Sequence, residues 1–261
     1  MTSAVTVRAL FQDHPDANCK ALRDIVRALG VADEDEDSFA GAQRADDGPQ
    51  AAARAEQRAA FDAADCGARL LQLSRHVDDT VRELATDALG VWGGDAARDR
   101  LHELVSDAVL AVRASAVGAL AGWADERPSV EVMLIALEDS KWIVRLRAAH
   151  GLSRAPGDDV DRALVHALLD PDSFVRTTAA DALVQRPTER ILPRIRKLME
   201  HPAPHLFDAA FDVLGRIGTD EDAAFLARVG RLTNFSQPSQ VKGWARAAAQ
   251  AIRKRNASRG R

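Results

Sequence analysis

His201 and His205 stand four residues apart, a spacing that on a helix would set two imidazoles on one face, as metal ligands require. Pro202 and Pro204 lie between them, so the segment reads as a turn. No third ligand is close in sequence, and a stable site needs three or four. His102-Glu103 is a single ligand-type pair. It reads as two polar residues on an outer helix. Cys19 and Cys66 are far apart and form no C-x-x-C, which argues against a zinc site or a disulfide framework. No Gly-rich phosphate loop, nucleophile elbow or Ser/His/Asp order stands out, and Gly93-Gly94 reads as a helix stop. These residues predict no catalytic group, no metal and no cofactor.

The elements that carry them are helical. Apolar residues make up 46% of the 261, enough for a continuous core, whereas aromatics are 5% and Tyr is missing. Abundant Ala with few aromatics favours closely packed helices over a sandwich or barrel. The formal net charge of −4 gives no global attraction to nucleic acid or to anionic lipid. Locally the balance differs. Residues 1–66 carry thirteen acids against seven bases, and residues 241–261 carry seven bases and no acid. The opening residues lack the apolar run of a signal peptide, and no window approaches a membrane span, so a cytoplasmic protein is expected. Richness in Ala, Arg and Asp with little Lys points to a bacterial genome of high GC content.

A phrase recurs along the chain: Val81-Arg82-x-x-Ala85, Val112-Arg113-x-x-Ala116, Val144-Arg145-x-x-Ala148 and Val175-Arg176-x-x-Ala179. Decayed copies follow at Leu206-Phe207-x-x-Ala210 and Val241-Lys242-x-x-Ala245. Leu89, Leu120, Leu152, Leu183 and Leu214 stand eight residues after each of the first five starts. Offsets 0, 4, 7, 8 and 11 form one face of a helix with a 3.6-residue period. A second helix precedes each phrase, and Gly93-Gly94, Pro128, Pro156-Gly157 and Pro187 break the chain between them. Each unit of about thirty residues is thus a helix–turn–helix that cannot bury its apolar face alone.

In register over roughly residues 62–252, the pattern resembles the HEAT repeat, in the short variety also seen in phycobilisome-lyase-like proteins. The resemblance implies an all-α, right-handed α-solenoid of about six antiparallel helix pairs. It also implies an Asp six residues before the Arg that opens each second helix, as in Asp107 and Arg113, Asp139 and Arg145, Asp170 and Arg176. These charges are expected to form a structural ladder linking successive turns. His76 and His201 replace the Asp at the flanks, and Phe207 replaces the Arg, so the ladder is expected to lose its pairs there. Domain expectations are a helical cap at 1–30, an acidic loop or linker at 31–50, the repeat array at 51–252 and a basic tail at 253–261. Within the cap, Cys19, Leu22, Ile25, Val26 and Leu29 should share one face.

Enzymes exist among proteins of this kind. The resemblance brings in the His-Glu pairs of deoxyhypusine hydroxylases, but this chain has only His102-Glu103. Trp123-Ala-Asp125 is similar to the Trp and Asp usage of HEAT-like DNA glycosylases, yet Trp92 and Trp123 share one repeat offset and read as core aromatics. Nothing marks a bilin pocket for a lyase. A HEAT-derived enzyme of lyase or glycosylase type ranks last, and the chain is expected not to be an enzyme.

In HEAT arrays the second helices line the concave side. Offsets 2, 6 and 10 then point away from the core: Glu83 and Asp87, Ala114 and Gly118, Leu146, His150 and Arg154, Thr177, Asp181 and Gln185, Asp208, Asp212 and Arg216. This mixed row suits a protein surface or peptide. Trp142 sits at a turn position and is the best anchor, unless it packs over a neighbouring turn. The expected function is a scaffold, adaptor or regulatory subunit that binds a protein partner through the row from Leu146 to Arg216 and Trp142, with no membrane involvement. The alternative is a nucleic-acid-associated module using Arg253, Lys254, Arg255, Arg259 and Arg261.

Overall fold

A computed structural model of the chain describes residues 14–28, 66–199, 207–229, 231 and 238–259. It divides into two compact units, residues 1–123 and 124–261. In the first, α1 (Pro15–Ala28) packs on α3, and the pairs α2 (Cys66–Leu73) with α3 (Asp79–Trp92) and α4 (Asp95–Leu104) with α5 (Leu110–Ala119) follow. A 3-10 turn, Leu120–Trp123, ends it. The second unit holds α6 (Arg127–Ala136) with α7 (Trp142–Gly151), and α8 (Asp158–Ala167) with α9 (Ser173–Val184). It continues with α10 (Thr188–Leu198) and α11 (Asp208–Ile217), then α12 (Asp220–Val229) and α13 (Pro238–Arg259). Among the described residues there are six helix pairs and no strand, an α-solenoid class of fold.

Local signals set the boundaries. Asp78 caps α3 by accepting the Val81 N–H at 3.1 Å, and Gly93 ends it at φ 73. The Gly93 N–H bonds the Leu89 carbonyl, and its left-handed φ, which suits glycine, turns the chain out of the helix there. Asp172 caps α9 through the Phe174 N–H at 2.9 Å. Asp158, Asp159 and Asp161 crowd the first turn of α8, where the helix dipole favours negative charge.

The predicted apolar register is the core. Val81, Val112, Val144 and Val175 are buried, with Ala85, Ala116, Ala148, Ala179 and Ala210, and with all five leucines at offset eight. Small residues permit close approach. A Cβ on Gly90 would lie 2.6 Å from the Ala119 Cβ, and one on Gly67 would lie 2.1 Å from the Trp92 ring. In α1, Leu22 and Ile25 are buried and Cys19 is half-buried. The side chains of Val26 and Leu29, and the expected linker at 31–50, fall outside the described residues.

The ladder joins one repeat to the next. Arg82 Nε and Nη2 donate to both oxygens of Asp107, 25 residues on, at 3.0 and 3.2 Å. Arg145 does the same to Asp170 at 2.7 and 2.8 Å. Nη1 of Arg82, Arg113, Arg145 and Arg176 donates to the carbonyl six residues back, on His76, Asp107, Asp139 and Asp170. Asp107, Asp139 and Asp170 also each accept the backbone N–H two residues on.

The flanks correct the expectation. At the first, His76 Nδ1 accepts the Asp78 N–H at 3.1 Å, so imidazole replaces carboxylate within the turn. At the second, Arg176 is paired after all: Asp208, 32 residues on, takes Nε and Nη2 at 2.9 Å each. Phe207, where earlier copies carry Arg, is fully buried instead.

Further charge is buried between helices. Asp161, fully buried, is bound by Arg186 and Arg190 at 2.5 Å. Arg186 Nη2 also donates to the Leu152 and Ala155 carbonyls at the end of α7. Buried Asp222 accepts from Arg196 at 2.6 Å and from the Thr219 N–H and hydroxyl. Burial pulls the Asp222 and Asp107 carboxyls up, but guanidinium and N–H donors outweigh it and hold both below the usual range.

R145A strips a mostly buried carboxylate of both its guanidinium donors. It should cost about 3 kcal/mol in urea unfolding, whereas E131Q in the exposed Arg127–Glu131 pair should leave the urea midpoint almost unchanged. Equal losses would refute the ladder's role. Because the folded Asp222 and Asp107 values are depressed, their contribution is complete above the unfolded value of about 4 and is lost as pH falls through the folded values. The urea midpoint should stay level from pH 7 to 5 and drop below about pH 4, and D222N should flatten that drop.

Candidate functional site

The row expected to face a partner lies on α7, α9 and α11 of the second unit, with Arg154 and Gln185 just past the ends of α7 and α9, and α9 packs against both of the others. Its residues are not equivalent. Leu146 is 4% exposed and belongs to the core, which removes it from the surface. Offset two points inward there, as it does at Ala114, because close packing of the second helices covers that side. In the first unit Glu83 and Asp87 are half-buried, and burial pushes the Glu83 carboxyl up.

The acids of the row are paired with arginines. Arg216 Nη1 donates to Asp181 at 2.5 Å and to Asp212 at 3.2 Å. Asp208 is a ladder acceptor for Arg176. The Thr177 hydroxyl donates to the Ser173 carbonyl, and Gln185 Nε2 to the Asp181 carbonyl. On α7 the character is basic. His150 is half-buried, and burial first, then Arg147 and Arg154, push its imidazole below the ordinary value. Arg154 is exposed.

Trp142 is 41% exposed at the start of α7 and stacks on Phe174, itself 64% exposed, at the start of α9. The ring centroids are 5.7 Å apart with planes at 30°. The ring packed on Trp142 is Phe174, which sequence reasoning passed over. The signal available was its place in the turn of the following copy, one residue after Ser173, the position matching Trp142.

The basic end differs from expectation. Residues 253–259 are not a separate tail but the last turns of α13, so the boundary at 252 falls inside a helix. Arg255 Nη1 donates to the Gly215 and Arg216 carbonyls at 2.7 and 2.6 Å, and Nη2 to that of Gly218. It closes the end of α11, as Arg186 closes α7. Arg253 and Lys254 are exposed, while the Arg259 side chain and Arg261 fall outside the described residues.

His201 and His205 also fall outside them. Among the described residues no three His, Cys, Asp or Glu side chains gather as a metal site would need, and no helix is long and apolar enough to cross a membrane. His102 and Glu103 lie on α4, where Glu103 pairs with Arg75 and Arg100. Trp92 and Trp123 are half-buried. Burial and then Asp78 push the Cys19 thiol up, away from the reactive thiolate.

The basic surroundings of His150 make it a probe of this face. Its imidazole should titrate below about 6.5 by NMR, and R154A should raise that value; no change would place Arg154 away from the ring.

The profile of HEAT repeats matches three overlapping stretches, residues 67–153, 111–184 and 162–253. No curated protein matches the chain. Among solved structures it is similar to YibA of Escherichia coli, with 14% identity over 95% of this chain and 80% of that one and a TM-score of 0.51. It is also similar to a designed armadillo repeat protein, with 17% identity over 95% and 98% of the two chains and a TM-score of 0.49. A designed armadillo repeat protein in complex with the peptide (KR)4 gives 16% identity over 96% and 100% and a TM-score of 0.49. The three profile matches together run through all six helix pairs from Gly67 to Arg253, and the chain belongs to the HEAT-repeat family.

Proposed function

We propose that the protein is a non-catalytic adaptor or regulatory subunit of the bacterial cytoplasm. It binds a protein partner along α7, α9 and α11, with Trp142 as the anchor. The observation that carries this reading is the stacked Trp142–Phe174 pair, left partly open to solvent at the turn edge. Aromatic side chains each bring on the order of 150–250 Å² of contact surface and are the residue types that dominate interface energetics. The pair is pre-positioned, because Arg145 and Arg176 fix the turns from which the two rings project. Its bound conformation therefore costs little ordering entropy.

Around the anchor, His150, Arg154, Thr177, Asp181, Gln185, Asp212 and Arg216 offer a mixed polar rim. A catalytic reading is disfavoured by how the carboxylates are used. Asp181 and Asp212 share Arg216, Asp208 holds Arg176, and Asp161 and Asp222 are each bound by arginine. A general base needs an oxygen turned to a substrate, and these are turned to guanidinium groups.

The test is affinity capture from native extract with nuclease present, comparing wild type, W142A/F174A and D181K/D212K. A protein retained near one-to-one by wild type should fall at least tenfold with either variant. Capture that survives W142A/F174A unchanged would sink the anchor. Truncation after Ile252 is the wrong control, because it removes the Arg255 cap on α11.

A further inference from the structure

We propose that the outer face of α13 is a docking surface for the phosphate backbone of duplex nucleic acid. This surface is distinct from the protein-binding face and does not depend on it. Every charged residue of α13 is basic: Lys242, Arg246, Arg253, Lys254, Arg255 and Arg259. Arg255 is occupied by the carbonyls at the end of α11. Lys242, Arg246, Arg253 and Lys254 are exposed. Among the described residues none of these four meets a carboxylate, whereas Arg82, Arg145, Arg176, Arg186, Arg196 and Arg216 all do.

Register gathers three of them, with Lys254 beside. At 100° per residue, Lys242, Arg246 and Arg253 fall within an arc of about 40° and span about 16 Å of helix. That is the axial length of about five phosphates on one strand of a duplex. The face between and beside them carries Ser239, Gln240 and Gln250, donors that suit phosphate oxygens, together with Gly243, Ala247 and Ala251. At this end Asn256 Nδ2 donates to Asp220 at 2.8 Å.

What the face lacks selects among polyanions. Binding at a membrane surface needs large apolar side chains to enter the lipid, and none stands on this face. The one aromatic of the helix, Trp244, is half-buried and lies 6.0 Å from the Phe211 ring, so it is not presented for stacking on single-stranded bases. An acidic protein would find no hot-spot anchor here. Four unpaired cations on a rigid rod, flanked by small polar residues, fit a contact that reads charge spacing and not sequence.

The experiment is fluorescence anisotropy of a labelled 20-base-pair duplex of arbitrary sequence with the full chain, at 50 and 200 mM salt. Wild-type affinity should fall about 100-fold over that range, the slope of about four phosphate contacts. K242Q/R246Q/R253Q/K254Q changes only exposed side chains and should keep its circular dichroism spectrum. It should bind at least tenfold more weakly at 50 mM salt and lose most of the slope. R255Q should melt at a lower temperature yet keep the slope, which separates the cap from the surface. The proposal is overturned by wild type that fails to bind at 50 mM salt. It is equally overturned by a quadruple variant with unchanged affinity and slope, by tighter binding of single strands than of duplex, or by sedimentation with phosphatidylserine vesicles when duplex is not bound.

Discussion

Arg82, Arg145 and Arg176, each at the start of a second helix, divide their donors between two repeats. One Nη1–H closes the turn of its own repeat on a carbonyl, and Nε with Nη2 clamp the aspartate of the next. The aspartate is equally divided, because Asp107 and Asp170 also hold their own turn through a backbone N–H. Both carboxylate oxygens of Asp107 and Asp170 thereby meet guanidinium N–H groups, as a poorly solvated ion pair needs to avoid a net penalty. A lysine could not replace the arginine: a point charge has no planar fork with which to meet a carboxylate and a carbonyl at fixed angles. Helix packing follows from this joint, since it sets where each turn sits before the alanines and leucines behind it interlock.

Beneath the rungs a second set of arginines acts where helices end. Arg186 reaches back to the terminal carbonyls of α7 while holding buried Asp161, and Arg255 does the capping half of that work on α11. Terminal carbonyls of a helix packed against its neighbours have lost water and need donors. Some of the chain's charges, Asp161 and Asp222 with their arginines among them, are thus internal fittings. The side chains left over, the Trp142–Phe174 pair and the outer cations of α13, stand out against that background.

Periodicity made the core legible from residues alone. The Val, Ala and Leu offsets required one helical face, and those side chains are buried. The boundaries were legible because Gly93, Gly157 and Pro187 leave the chain few alternatives there. The resemblance also led to the expectation of a ladder between successive turns, though not of which atoms make it. Within its own turn the guanidinium of Arg145 meets the Asp139 carbonyl, and its carboxylate partner is Asp170, 25 residues on. Asp208 was assigned to the surface because its offset is outward; without a turn aspartate in its copy, it drops into the rung from the helix itself. Leu146 shows the reverse error, since an outward offset on an isolated helix is covered once a neighbouring helix packs close. Basic residues in a row suggested a loose tail, where Ala-rich helix propensity and the Arg255 cap extend α13 to Arg259.

The rung also bears on how such a chain can change length. Each unit carries a donor facing forward and an acceptor facing backward, like a length of pipe threaded male at one end and female at the other. A gene segment encoding one whole unit can then be copied or deleted by unequal recombination and still leave every remaining joint matched. What cannot be copied freely are the fittings made for a particular place, such as His76 in its turn, or Phe207 with Asp208 beside it. Variation in the number of units among relatives should therefore concentrate between these two points, while the units bearing them persist.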